Sequence, residues 1–194
     1  KVSHDVDQPS LYSFKSWSQI ARIMGGHAIK RRDIRAFIQA PYIKLTSHRE
    51  IHSSDPLNTF EWIMDQSEYN GLSSAFYFIC GHSDPRDADY QAEDPRIRSL
   101  MRRIHARGHE IGLHPSYGSY KKPEMMRYEA DRLRTICDSE HITQKEWGGR
   151  MHYLRWSNPE TLRAWGRTGL DYDSTLGYAD CPGFRCGTCY EYPA

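Results

Sequence analysis

Residues 74–80 read Ser-Ala-Phe-Tyr-Phe-Ile-Cys, an uninterrupted stretch without a charge. Side chains of a strand alternate between two faces, so a run that is apolar at every position must be covered on both sides, as strands are in the parallel sheet of an α/β protein. The chain around this run repeats one order of elements. Upstream, Asp55-Pro56 has the form of a helix start, with Asp55 as N-cap, Pro56 in the first turn and Phe60, Ile63 and Met64 along one side, before Asn70-Gly71 ends it. Downstream, a helix over 94–107 closed by Gly108 leads into His109-Glu110-Ile111-Gly112-Leu113-His114-Pro115. A helix over 123–137 then precedes a strand over 147–153, and a helix over 158–167 followed by Gly169 precedes a strand over 170–175. Strands and helices alternating at this spacing predict right-handed βα units around a parallel sheet, either open or closed into a barrel.

With 194 residues, the expectation is one domain spanning 1–194. One long excursion, over about 11–54, carries helical spacing at Trp17, Ile20, Ala21, Ile23 and Met24, a Gly25-Gly26 stop, and a second helix over 33–39. Excursions of this length are lids, binding loops or structural wraps. The 26 Lys and Arg nearly balance the 25 Asp and Glu, which argues against nucleic acid or an anionic membrane as the main partner. No apolar run of about 18 residues is present, so no membrane span is expected. Five cysteines at irregular spacing (Cys80, Cys137, Cys181, Cys186, Cys189) do not form a disulfide framework, and the expected compartment is the cytoplasm. A core strand that starts at residue 2 implies a trimmed or longer polypeptide, which leaves export open, and oligomeric state is also open.

In α/β folds of this kind the reactive groups collect at the carboxyl ends of the strands, and several titratable residues fall there. The opening stretch Val2-Ser3-His4-Asp5-Val6-Asp7-Gln8-Pro9, if extended, puts Asp5 and Asp7 on one face and Val2, His4 and Val6 on the other. Two carboxylates so close repel unless a cation lies between them or one takes a proton, although a solvated strand end before a Pro turn would also read this way. His109 and His114 are one residue too far apart for the zinc-protease signature. A five-residue step separates side chains by roughly 140° on a helix and by a face on a strand, so the two do not share a metal. His109 is expected to cap the preceding turn. His114, at a strand end, is either a hydrogen-bonded structural residue or a ligand at the mouth shared with Asp5 and Asp7. Arg150 and His152, again two apart, could pair with an aspartate and bind a metal or exchange protons, respectively. Cys186-Gly-Thr-Cys189 lacks companions for a four-ligand zinc site and reads as structural. Asp171 and Asp173 repeat the spacing of Asp5 and Asp7.

Taken in order, Ser-His-Asp-Val-Asp at 3–7, Arg-Gly-His-Glu-Ile-Gly-Leu-His-Pro at 107–115, the Arg150–Tyr153 segment and Asp171-Tyr-Asp-Ser-Thr resemble the polysaccharide deacetylase family, the NodB-homology domains of carbohydrate esterase family 4. The resemblance implies a distorted (β/α)7-type barrel. It also implies a metal-dependent hydrolase that removes acetyl groups, N-acetyl before O-acetyl, from a sugar or polysaccharide. By that resemblance Asp5 is the general base and a metal-bound water the nucleophile. Asp7 and His114 are metal ligands, Arg150 orients the base, and the backbone N–H of Tyr153 meets the oxyanion. The expected cofactor is a divalent ion, zinc first, with cobalt, nickel or manganese as substitutes. His152 or His82 would complete the ligand set, and Tyr117, Trp156, Arg185 and the exposed Trp17 are the expected contacts of an acetylated carbohydrate.

The sequence also departs from the pattern. The family's second ligand histidine, four residues after the first, falls on Gly118, and the usual adjacent aspartates are split by Val6. No histidine follows His152, so the family's late general acid has no match, which implies either final strands outside this chain or an altered site. A barrel without metal, acting as a carbohydrate-binding or scaffold protein, is the alternative that Gly118 favours.

Overall fold

The computed structural model describes residues 2–193. Five strands, β1 (Val2–Val6), β2 (Ser74–Ile79), β3 (Glu110–His114), β4 (Gly148–Gly149) and β5 (Tyr172–Asp173), lie in one sheet in the order β1-β2-β3-β4-β5. All neighbours are parallel. The helices are α1 (Trp17–Gly25), which runs on into a π-turn at Gly26–Arg31, α2 (Ile34–Thr46), α3 (Phe60–Tyr69), α4 (Pro95–Ala106), α5 (Pro123–Ser139) and α6 (Glu160–Thr168). The expected βα alternation is present.

The register shows why β2 had to be apolar throughout. Phe76 and Phe78 point outward into a cluster with Ile111 and Leu113 of β3, Ile97, Leu100 and Ile104 of α4, and Ala130 and Leu133 of α5. Burying side chains of this size stabilises the fold by about 1.5–3 kcal/mol each. On the other face, Asp5 pairs across to Tyr77, Tyr77 to Gly112, and Ile79 to His114. The Ser174 hydroxyl, just past β5, donates to Tyr77 Oη at 3.1 Å, and Tyr172 Oη donates to Glu110 Oε2 at 2.8 Å. In a flat sheet β2 and β5 would be about 14 Å apart. The sheet is therefore strongly curved, with this second face inside the curve.

Curvature leaves little room within it, which accounts for the glycines. A Cβ on Gly148 would fall 2.0 Å from the Tyr172 ring, and one on Gly112 would fall 2.5 Å from both the Gly148 carbonyl and the Tyr77 ring. β4 is much shorter than the strand expected over 147–153. After Gly149, the Arg150 N–H still donates to Leu113 O, but the Met151 N–H is taken by the Thr175 hydroxyl and the chain turns into a 3₁₀ turn at His152–Leu154. β5 is likewise reduced to Tyr172–Asp173 from the expected 170–175.

Two local expectations are corrected. Asp55 is not a helix cap, since α3 begins only at Phe60. Its buried carboxylate accepts from Ser10 Oγ (2.6 Å), Leu11 N (2.8 Å), Tyr12 N (3.3 Å) and Leu57 N (3.0 Å), fastening the start of the helical excursion to its end. His109 is not a cap either. It lies buried, accepting from Ser74 N through Nδ1 at 3.0 Å, with Nε2 3.3 Å from Glu68. The excursion contains the two helices expected there, with α2 extending further than foreseen, and has a small core of its own in Tyr12, Ile20, Ala40 and Ile43.

Candidate metal site

Each group at the carboxyl edge is placed by the element beneath it. β1 aims Asp5 inward and releases Asp7 just past its end. β3 ends in His114. The turn after β4 carries Arg150 and His152. Together they line a cleft of about 830 Å³ with Gln8, Arg86, Tyr153, Leu154, Ser174 and Tyr178.

Three side chains in it can hold a metal ion. Asp7 Oδ1 lies 3.6 Å from His114 Nε2 and 3.8 Å from His152 Nε2, and one donor atom from each of the three lies within 4.8 Å of the others. Ligands about 2.1 Å from a tetrahedral ion stand roughly 3.4 Å apart, so the spacing suits a divalent cation with one position left open. The imidazoles are oriented for it. His114 Nδ1 is 2.6 Å from the Arg150 carbonyl, which only accepts, so Nδ1 carries the proton and Nε2 presents its lone pair to the cleft. Burial pushes the His114 pKa down, opposed by the Asp5 and Asp7 carboxylates and reinforced by His152, and the net direction is toward the neutral ligand form. His152 Nδ1 is buried without a hydrogen bond and faces Asp87 Oδ1 at 3.4 Å, again leaving Nε2 for the cleft.

Beside this group, Arg150 Nη1 donates to Asp5 Oδ1 at 3.2 Å, its Nη2 donates to Ser3 Oγ, and its Nε donates to the Ser174 carbonyl at 3.2 Å. The guanidinium thus spans β1 and the end of β5 and fixes the Asp5 carboxylate, whose Oδ2 lies 3.9 Å from His114 Nε2. Tyr153 and Leu154 both adopt left-handed backbone (φ 60° and 50°), a costly conformation for residues with a Cβ and a common one at functional turns.

Of the histidines considered for the third donor, His152 is in the group, whereas His82 is exposed and outside it. The expected substrate contacts divide. Tyr153 lines the cleft, but Tyr117 stands behind it, its ring sandwiched between the guanidiniums of Arg86 (3.6 Å) and Arg155 (4.2 Å). Trp156 is corrected to a packing role, against the cluster of Met126, Met151, Ala164 and Trp165. Arg185 donates to the Leu154 carbonyl at 3.0 Å and supports the Tyr153 turn instead of lining the cleft. Trp17 belongs to the excursion, with Lys44 5.7 Å from its ring. Asp171 accepts from Trp147 N, and Asp173, pushed up to about 6 by burial, accepts from Thr175; neither lines the cleft.

Sequence reasoning missed Asp87. Its carboxylate accepts from the N–H groups of Ser83, Asp84 and Tyr117 and from Ser83 Oγ. Burial pushes its pKa up, but these hydrogen bonds outweigh that and hold it below the usual range. Only the position of Ser83-Asp-Pro-Arg-Asp87 after the carboxyl end of β2 could have drawn attention to it.

From Asp87 the polar chain continues inward. Ser83 Oγ lies 2.9 Å from Ser116 Oγ, and Ser116 Oγ lies 2.5 Å from Oε1 of the buried Glu129, whose Oε2 accepts from Ser116 N at 2.7 Å. Ser83 has one proton, and ionised Asp87 needs it. The Ser83–Ser116 contact then requires the Ser116 proton, so every bond is satisfied only if Glu129 is itself protonated and donates to Ser116. Burial pushes the Glu129 pKa up to about 7. The native state therefore binds more protons than the unfolded chain between about pH 4.5 and 7, so stability falls as pH rises through that window. Glu129→Gln keeps the same donor and acceptor pattern. It is expected to flatten the pH dependence and to be the more stable form at pH 8 by up to about 3 kcal/mol. Urea midpoints at pH 5 and pH 8 measure this, and equal slopes for both proteins would contradict it.

No protein-family model matches the chain, and neither a curated protein nor a solved structure is significantly similar to it.

Proposed function

We propose that this protein is a metal-dependent hydrolase that removes acetyl groups, N-acetyl before O-acetyl, from a sugar or polysaccharide, on a barrel like that of the polysaccharide deacetylases. The observation that carries the reading is the convergence of Asp7, His114 and His152 as three metal donors directly beside the Asp5–Arg150 pair. The sheet curvature, the constant strand order and the motifs at 3–7, 107–115 and 150–153 support it. Gly118 is no longer an argument for a metal-free relative. Its N–H bonds Ser83 Oγ at 2.7 Å, a Cβ there would fall 2.7 Å from Ser83, and His152 supplies a donor from another turn.

A bound divalent ion, zinc before cobalt, nickel or manganese, would act as a Lewis acid, lowering the pKa of water from about 15.7 toward 7 and polarising the acetyl carbonyl. The residues of the chain do the rest. Asp5, held by Arg150, takes a proton from the attacking water. Asp5, once protonated, is placed to return this proton to the leaving nitrogen or oxygen. The backbone N–H of Tyr153, at the cleft wall, stabilises the developing oxyanion, and the exposed Tyr153 and Tyr178 rings offer apolar faces to a sugar.

The test is to load the protein with zinc, measure bound metal, and assay acetate release from N-acetylglucosamine oligomers and from O-acetylated xylan. About one equivalent of metal and metal-dependent acetate release are expected. Less than about a tenth of an equivalent of metal, or no release from any acetylated sugar by the loaded protein, would sink the proposal.

A further inference from the structure

The near-balance of charge in the whole chain conceals a strong segregation. Residues 8–49 contain eight Lys and Arg and a single acid, Asp33, a formal +7, whereas the entire chain carries +1 and the remainder therefore −6. Asp33 is occupied as the N-cap of α2, accepting from Ala36 N. Arg22, Lys30, Arg31, Arg32 and Arg35 are all exposed, and none is paired with an acid among the described residues.

The same segment has an unpartnered apolar face. α2 is apolar nearly all round, a pattern normally found in helices covered on every side. Only one side is covered here: Ala40 and Ile43 pack into the small core with Tyr12 and Ile20. On the opposite side Ile34 is 69 % exposed, Ile38 64 %, Tyr42 58 % and Leu45 56 %, with Phe37 at 37 %. At 100° per residue these side chains fall within an arc of roughly 140°, with Arg35 at one margin and Lys44 at the other. Ile29, 81 % exposed, precedes the Lys30-Arg31-Arg32 run that leads into the helix.

We propose that this face docks on an anionic lipid surface, with α2 lying in the plane of the membrane. No helix among the described residues is long and apolar enough to cross a membrane, and the 13 residues of α2 suit an interfacial element. A nucleic-acid surface would match the charge but leave the aliphatic stripe unused. An acidic membrane matches both, because the aliphatic and aromatic side chains enter the acyl boundary while the exposed heads of Arg35 and of the Lys30-Arg31-Arg32 run reach the phosphates.

Flotation of the whole chain with vesicles tests this. Binding to phosphatidylcholine vesicles containing about 30 % phosphatidylglycerol is expected, at least about tenfold weaker on pure phosphatidylcholine and in about 0.5 M salt. The double variant Ile38→Ser/Leu45→Ser and the charge reversal Lys30→Glu/Arg31→Glu, all at exposed positions, should each lower binding about tenfold or more while thermal unfolding stays unchanged. Absence of flotation on anionic vesicles, or flotation indifferent to both variants, would overturn the proposal. So would a wild-type dimer that fails to float and that Ile38→Ser/Leu45→Ser splits, since the stripe would then be a self-association surface. Retention on duplex DNA or RNA without flotation would overturn it as well.

Discussion

Asp5→Asn is expected to lower acetate release by about 10²–10⁴-fold while the protein still binds metal. The amide keeps the size of the carboxylate and one oxygen for Arg150 Nη1, now at 3.2 Å, so Ser3 and Ser174 continue to hold the guanidinium. What disappears is the capacity to accept a proton beside the metal donors. Because the candidate metal donors are Asp7, His114 and His152, without Asp5, the substitution separates proton transfer from metal binding. Turnover within a few-fold of wild type would remove Asp5 from the base role. Loss of metal together with activity would instead make Asp5 a ligand.

His152→Ala is expected to weaken metal binding by about 100-fold or more, the upper end of what loss of even an outer hydrogen-bond partner costs at such sites. Removing the imidazole leaves Asp7 and His114 as two donors, and two donors do not fix a tetrahedral ion. The same side chain packs against the His114 ring (centroids 4.8 Å) and the Tyr153 ring (4.7 Å), so a folding control is needed. Asp87→Asn serves as the companion. It should weaken binding less, by about 10–100-fold, because it leaves all three donors in place and changes only the group behind them, the partner of His152 Nδ1 and acceptor of the Ser83, Asp84 and Tyr117 N–H groups. Metal affinity by competition with a chromogenic chelator reads both variants, and unchanged affinity in His152→Ala would exclude it as the third donor.

Much of the frame could be read from local pattern. The unbroken apolar run of β2, the Asp94-Pro95 start of α4 and the left-handed Gly169 after α6 are signals carried by neighbouring residues, and each element formed where its signal lay. Asp55-Pro56 carried a similar signal and misled. The competing partners of its carboxylate, Ser10, Leu11 and Tyr12, lie more than forty residues away. β4 fell short of its pattern because Gly148 and Gly149 give close approach but no side-chain packing, and Met151 found the Thr175 hydroxyl before it could extend the ladder.

The period-two spacing of Asp5 and Asp7 and the strand-end positions of His114 and Arg150 were enough, by themselves, to bring these residues to one edge of a parallel sheet, because alternation along a strand and the direction of βα units are local rules. Tertiary structure alone decided that His152, and not His82 or a residue at 118, faces Asp7, that Asp87 stands behind His152, and that Trp156 packs, half-buried, against the Met126–Trp165 cluster. Those outcomes depend on how a curved sheet brings separate turns within 4 Å of one another, a distance that no periodicity along the chain encodes. The apolar stripe of α2 is the complementary case: its composition was plain in the sequence, but only the packed fold showed which of its two apolar sides remained uncovered.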